Sequence, residues 1–120
     1  MANKKENLIC DLDGTLADYS HGWIGPTKIG NPLDGAKEAL DLLHKHFRII
    51  IFSVRNESKP GHEAIVEWLK KYKMPYDAIT SIKPAGLLID DNCITFGGNW
   101  KQTILDIANF NNWQKYSPLD

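Results

Sequence analysis

Cysteine is scarce in this chain: only Cys10 and Cys93 occur in 120 residues. Small secreted domains without a sufficient core are stapled by several disulfides, and no such framework exists here. Long apolar runs are missing too. The longest, such as Ile49-Ile50-Ile51-Phe52, fall far short of the roughly 20 residues that a membrane helix needs. The stretch Met1-Ala2-Asn3-Lys4-Lys5-Glu6-Asn7 carries charge, with no hydrophobic segment of signal-peptide length behind it. Both cysteines are therefore expected to be reduced, the protein cytoplasmic, and no membrane is expected among its partners. An excess of charge of one sign is also absent. Fourteen Lys and Arg stand against fifteen Asp and Glu, a net charge of −1. That balance speaks against an extended nucleic-acid surface and leaves room for a small phosphate site. No internal repeat or low-complexity tract occurs.

What remains is an ordinary globular composition, 42% apolar and 24% charged, with length enough for one core without metal or disulfide staples. A single domain over residues 1–120 is expected, with its core at about 6–110. Leu8-Ile9-Cys10-Asp11-Leu12 reads as a buried strand ended by the turn signal Asp13-Gly14. Residues 15–33 have no clean period and carry three glycines and two prolines, so they read as a loop. Ala36, Ala39, Leu40, Leu43 and Phe47 recur at helical spacing after a candidate N-cap, Asp34.

Arg48 to Ser53 reads as a strand covered on both faces. A helix fits Pro60 to Tyr72, with Ile65, Trp68 and Leu69 on its stripe. Short strands are expected at Tyr76 to Thr80, Leu87 to Ile89 and Ile94 to Phe96. A last helix starts near Asn99, which stands at capping-box distance from Gln102. Its stripe is Trp100, Ile104, Ile107 and Ala108, and Trp68 and Trp100 are both expected in the core. Residues 112–120 read as a tail packing through Trp113 and Tyr116.

Helices alternating between apolar strands imply an α/β fold with a mostly parallel sheet and helices on both faces. In such sheets ligands bind beyond the carboxyl ends of the strands. There the sequence places Asp11 and Asp13, Ser53, and the pair Asp90-Asp91, with Lys83 just ahead of the last strand. Residues two apart on an extended segment point the same way, so Asp11 and Asp13 can share a site. Clustered carboxylates repel one another unless a cation joins them. Oxygen ligands without His or Cys favour Mg²⁺. Cation and lysine together would attract an anion such as phosphate, toward which aspartate is a nucleophile. A second carboxylate can then move the proton. The residues imply Mg²⁺-assisted phosphoryl transfer.

Asp11-Leu12-Asp13-Gly14-Thr15-Leu16 resembles the D-x-D-G-T signature of the haloacid dehalogenase-like (HAD) superfamily. Ser53, Lys83 and Asp90-Asp91 follow in that superfamily's motif order. The resemblance implies a three-layer α/β/α sandwich with a Rossmann-like sheet, and a phosphatase-type activity. It implies Asp11 as nucleophile and Mg²⁺ ligand, and Asp13 as general acid and base whose carbonyl also reaches the metal. Ser53 and Lys83 would hold the phosphoryl group, and Asp90 and Asp91 would bind Mg²⁺ directly or through water. No cap domain fits between these motifs, so the site is expected to be open to solvent or to a large substrate. A neighbouring subunit, or the loop 15–33 acting as a flap with Tyr19, His21 and Trp23, would then cover it.

Arg55, two residues past Ser53, resembles S/T-x-R sequences of members acting on nucleotides or nucleic-acid ends. It reads equally as a substrate contact or as a local ion pair. The expected partner is a phosphorylated substrate, either a small molecule or a macromolecular end. A phospho-accepting receiver is the rival from another class, but there the acidic pair comes first and the acceptor Asp later. A 5′-nucleotidase or nucleic-acid-end phosphatase, and a catalytically idle phosphate-binding module, stay open as alternatives.

Overall fold

The computed structural model describes residues 5–113. Four strands, β1 (Glu6–Asp11), β2 (Phe47–Phe52), β3 (Ala78–Thr80) and β4 (Leu87–Ile89), form one sheet in the order β3-β2-β1-β4. Every pairing is parallel. Three helices accompany them: α1 (Ala36–His44), α2 (Lys59–Lys71) and α3 (Trp100–Ala108). The fold is α/β, as the alternation of elements predicts.

Parallel strands buried on both faces read as continuous apolar runs, and β1 and β2 do. The register sets Leu8 beside Ile49 and Cys10 beside Ile51, which puts these four side chains on one face. That face packs in one cluster with Ala36 and Leu40 of α1 and Ile65, Trp68 and Leu69 of α2. On the order of 1.5–3 kcal/mol per fully buried aliphatic side chain, this is the main cohesion of the domain. The Trp68 indole N–H also donates to the Gly30 carbonyl at 2.7 Å, tying the 15–33 loop to the core.

Ile9 and Ile50, on the opposite face, are buried as well. Residues 81–86 connect β3 to β4, and Gly86 lies against Ile9. The Asn7 amide donates to the Ala85 carbonyl at 3.1 Å. At Gly86 any Cβ would come within 2.6 Å of Ile9 Cδ1.

Several local expectations change. α1 starts at Ala36 with Gly35 at its cap, not Asp34. Phe47 opens β2 instead of closing the helix. α2 begins one residue earlier than expected, and the Ser58 hydroxyl caps it by accepting from the Gly61 N–H at 3.1 Å. Ile94 to Phe96 form no strand, because β-branched character needs a neighbour to pair with and none lies alongside. The periodicity of α3 is real, and Asn99 caps it from the Gln102 N–H at 3.1 Å. Its stripe, however, faces solvent: Trp100 is 68% exposed and no other described element packs on the helix. Trp68 is in the core as expected; Trp100 is not. Tyr116 lies outside the described residues.

Candidate metal and phosphate site

All four strands point their carboxyl ends to one edge, and three of those ends converge. Asp11 is the last residue of β1, Ser53 follows β2, and Asp90-Asp91 follow β4. One oxygen from each of Asp11, Asp90 and Asp91 lies within 4.8 Å of the others. Below them opens a cavity of ≈ 310 Å³ whose lining includes Asp11, Asp13, Ser53, Asp90 and Asp91. Asp11 ends one central strand, Ser53 follows the other, and Asp90-Asp91 follow the edge strand β4, so the sheet holds the site's first members.

Backbone economy brings the carboxylates this close. Gly14 takes φ +84, and a Cβ there would sit 2.3 Å from an Asp91 carboxylate oxygen. Only glycine permits both the turn and the approach. The Thr15 hydroxyl lies 3.3 Å from Asp11 Oδ2 and 3.4 Å from Asp91 Oδ1, and its single hydrogen serves one acceptor at a time. The tail closes the far side. Asn112 donates its amide to Asp91 Oδ2 at 2.7 Å, and the Trp113 indole donates to the Gly14 carbonyl at 2.7 Å.

This crowding has an electrostatic cost. Burial, a hydrogen bond to Asp91 and the charges of Asp90, Asp91 and Asp13 push the Asp11 carboxyl from 3.8 up to about 8. Asp90 is also raised, first by burial. Without a cation Asp11 therefore favours its protonated form up to about pH 8. The neighbouring Cys10 thiol is pushed up to about 12, mainly by burial, and is inert as a nucleophile at neutral pH. Three hard carboxylates at a common point fit Mg²⁺ better than a thiophilic metal.

Asp13 stands apart from the triad. Arg55 grips it with both arms, Nε to Oδ2 at 2.9 Å and Nη2 to Oδ1 at 3.0 Å. The same guanidinium donates to the carbonyls of Gly25 at 2.6 Å and Lys28 at 2.9 Å, and Trp23 stacks 4.6 Å from its carbon. Arg55 is 1% exposed, and four of its five N–H donors go to Asp13 and the loop. It is a clasp between the acid and residues 23–28. Truncation would leave a carboxylate unpaired beside a loosened loop. Arg55→Ala is expected to lower unfolding free energy by about 3–5 kcal/mol, read from urea melts; a loss of under about 1 kcal/mol, the range of a surface ion pair, would show the clasp is dispensable.

No family model and no curated protein matches the chain. Among solved structures it is similar to a conserved protein from Bacteroides thetaiotaomicron, 26% identical with a TM-score of 0.60, over 96% of this chain and all of that one. It is also similar to a protein from Vibrio cholerae, 29% identical with a TM-score of 0.50, over 83% of this chain and 94% of the other. Both likenesses support the α/β architecture over most of the chain, and neither protein's name states an activity.

Of the residues expected at the site, Asp11, Asp13, Ser53, Asp90 and Asp91 come together around one cavity. Two stand apart from that cluster. Arg55 makes the ion pair with Asp13 and donates to the Gly25 and Lys28 carbonyls. Lys83 lies on the crossover 81–86, exposed, with its ammonium 3.2 Å from the Pro84 carbonyl, and it is not among the cavity's lining. The crossover leaves the carboxyl end of β3 and runs to the amino end of β4.

The loop is also less free than a flap. Leu16 and Ala17 are buried, the Asp18 N–H donates to the Asn31 carbonyl at 2.7 Å, and Arg55 and Trp68 hold Gly25, Lys28 and Gly30. Sequence reasoning gave no role to Thr15, Asn92 or Asn112, although Thr15 is part of the signature and Asn92 follows the acidic pair. Asn112 had no local signal, because it reaches Asp91 from the tail.

Proposed function

We propose that this chain is a Mg²⁺-dependent phosphohydrolase of the HAD-like type, a capless three-layer member acting through a phospho-aspartyl intermediate on Asp11. One observation carries the reading: Asp11, Asp90 and Asp91 gather at adjacent strand ends, with Asp13 and Ser53 lining the same cavity. Asp11, Asp90 and Asp91 would hold the ion. When bound, Mg²⁺ supplies countercharge to the carboxylates and to the phosphoryl oxygens.

The remaining chemistry belongs to the chain. Asp11 attacks phosphorus with a carboxylate oxygen as the bond to the leaving oxygen breaks, and Asp13 delivers a proton to that oxygen. Asp13 then takes a proton from water as the water attacks phosphorus, which frees phosphate and Asp11. The Arg55 clamp fixes where the Asp13 oxygens stand. The Ser53 Oγ accepts from the Arg55 N–H at 3.1 Å, which leaves its own hydrogen for a phosphoryl oxygen. Tyr19, Trp23 and Phe52 line the cavity as well. Their flat faces favour a nucleotide or nucleic-acid end over a bare sugar phosphate.

Phosphate release from a panel of nucleotides, sugar phosphates, oligonucleotide ends and phosphopeptides tests the reading. Mg²⁺-dependent release that is strongest on nucleotides is the expected result; no release from any member would overturn it. Within this mechanism Ser53→Ala is expected to lower turnover more than Lys83→Ala, because Ser53 lines the cavity and Lys83 does not. Steady-state kinetics of the two variants check this, and a larger loss for Lys83→Ala would bring the crossover to the phosphate.

A further inference from the structure

We propose that α3 and the outer strand β4 form a homodimer surface, each copy laying its α3 across the β4 face of the other. This surface is independent of the phosphohydrolase reading.

Leu87 pairs with Leu8 and Ile89 with Cys10, so both point to the face that α1 and α2 cover over β1 and β2. Over β4 that cover is missing. Among the described residues β4 packs only on β1, and Leu87 and Ile89 are 66% and 38% exposed. Parallel strands are otherwise buried on both faces.

The missing cover has a counterpart in the same chain. Trp100, Ile104, Leu105 and Ile107 of α3 are each more than half exposed, and Lys101 and Asp106 are the helix's only charges. Both ends of the excursion that carries α3 are held at the site. It leaves from Asp91 and returns where Asn112 bonds Asp91 and Trp113 bonds Gly14. The helix is therefore an anchored arm, with Thr103 buried and Trp100 against Phe96 at 4.9 Å between ring centroids, and its apolar stripe left open.

A bare apolar strand and a bare apolar helix in one chain are complementary halves, and a second copy brings both. A two-fold exchange then satisfies four surfaces with one contact type. Trp100, Ile104 and Ile107 share one side of α3. With Leu87 and Ile89, each exposing on the order of 100 Å², they supply roughly 500 Å² per partner, which reaches the total of about 1,000 Å² that a biological interface clears. With one basic and one acidic residue on the arm, neither a nucleic acid nor a strongly charged protein is matched to it. Asn92 and Asn112 bound the arm and line the cavity, so the contact would also brace the segment that bonds Asp91.

Light scattering on the full chain at micromolar concentration is expected to give twice the chain mass. Ile104→Glu with Ile107→Glu should give a single chain with an unchanged circular dichroism spectrum, since both side chains are solvent-exposed within one copy. In a Cys93→Ser background, mixing Leu87→Cys chains with Ile104→Cys chains and oxidising should link two chains. A wild-type mass of one chain overturns the proposal. So does a dimer that survives the paired Glu substitutions, a dimeric mixture that gives no link, or a Leu87→Cys/Ile104→Cys chain that closes its disulfide within itself.

Discussion

Asp11→Asn is expected to abolish phosphate release, by a factor on the order of a thousand or more, while leaving the metal-free protein more stable than wild type. Both outcomes come from one carboxylate. The first arises because an amide cannot form the phospho-enzyme bond. The second arises because Asp11 sits buried among Asp90, Asp91 and Asp13 and is pushed up to about 8. A neutral side chain of the same shape removes that repulsion. Turnover assays and thermal melts of the same preparation check the pair, with a stability gain of several degrees expected for metal-free protein near pH 8. Lost activity with lost stability would make Asp11 a structural residue. Retained activity would remove it as nucleophile. Aluminium or beryllium fluoride in the presence of Mg²⁺ should protect wild type against heat and leave the variant unprotected.

The acids were legible in the sequence for a physical reason. β1 and β2 are covered on both faces, so they appear as unbroken apolar runs, and the first polar residue after each run marks a strand end. Ligand sites in parallel sheets lie at those ends, which is why Asp11, Ser53 and Asp90 could be placed together from the sequence. Arg55 shows the limit. Its type and its offset from Ser53 suit a phosphate contact as well as an ion pair. What decides between them is a loop path that brings the Gly25 and Lys28 carbonyls to the guanidinium, and no local pattern encodes that path.

Lys83 and α3 show two further limits. Lys83 lies on the crossover between β3 and β4, exposed, and is not among the residues lining the cavity. For α3 the period of 3.6 was correct and states only that one face is apolar. What covers that face is a tertiary or quaternary matter. Ile94 to Phe96 have strand-forming side chains and no partner, and β-propensity reflects the surroundings more than the backbone.

Mg²⁺ is expected to stabilise the fold more strongly as pH rises toward 8. The direction is set by where the proton sits. In the unfolded chain Asp11 binds its proton only below about 3.8, whereas in the metal-free fold it keeps that proton up to about 8. Between those values the folded state holds the extra proton. The stability this contributes is fully present below 3.8 and is lost as pH climbs through 8. Asp77 opposes this only at the acid end, because its carboxyl is held low by the Ile49 N–H and by His44 despite some burial. A cation seated on Asp11, Asp90 and Asp91 has to displace the proton, so its binding competes with protonation at pH 5.5 and is nearly free of it at pH 8.5. Thermal melts with chelator and with excess Mg²⁺ at those two values should show a shift of several degrees at the higher pH and little at the lower. Proton release on Mg²⁺ addition to weakly buffered protein at pH 6.5 should accompany it. Asp11→Asn should flatten the pH dependence without abolishing binding, since Asp90 and Asp91 remain. An Mg²⁺ shift of equal size at both pH values would mean that the ion binds away from Asp11, and the three carboxylates would then be only the turn that closes β4.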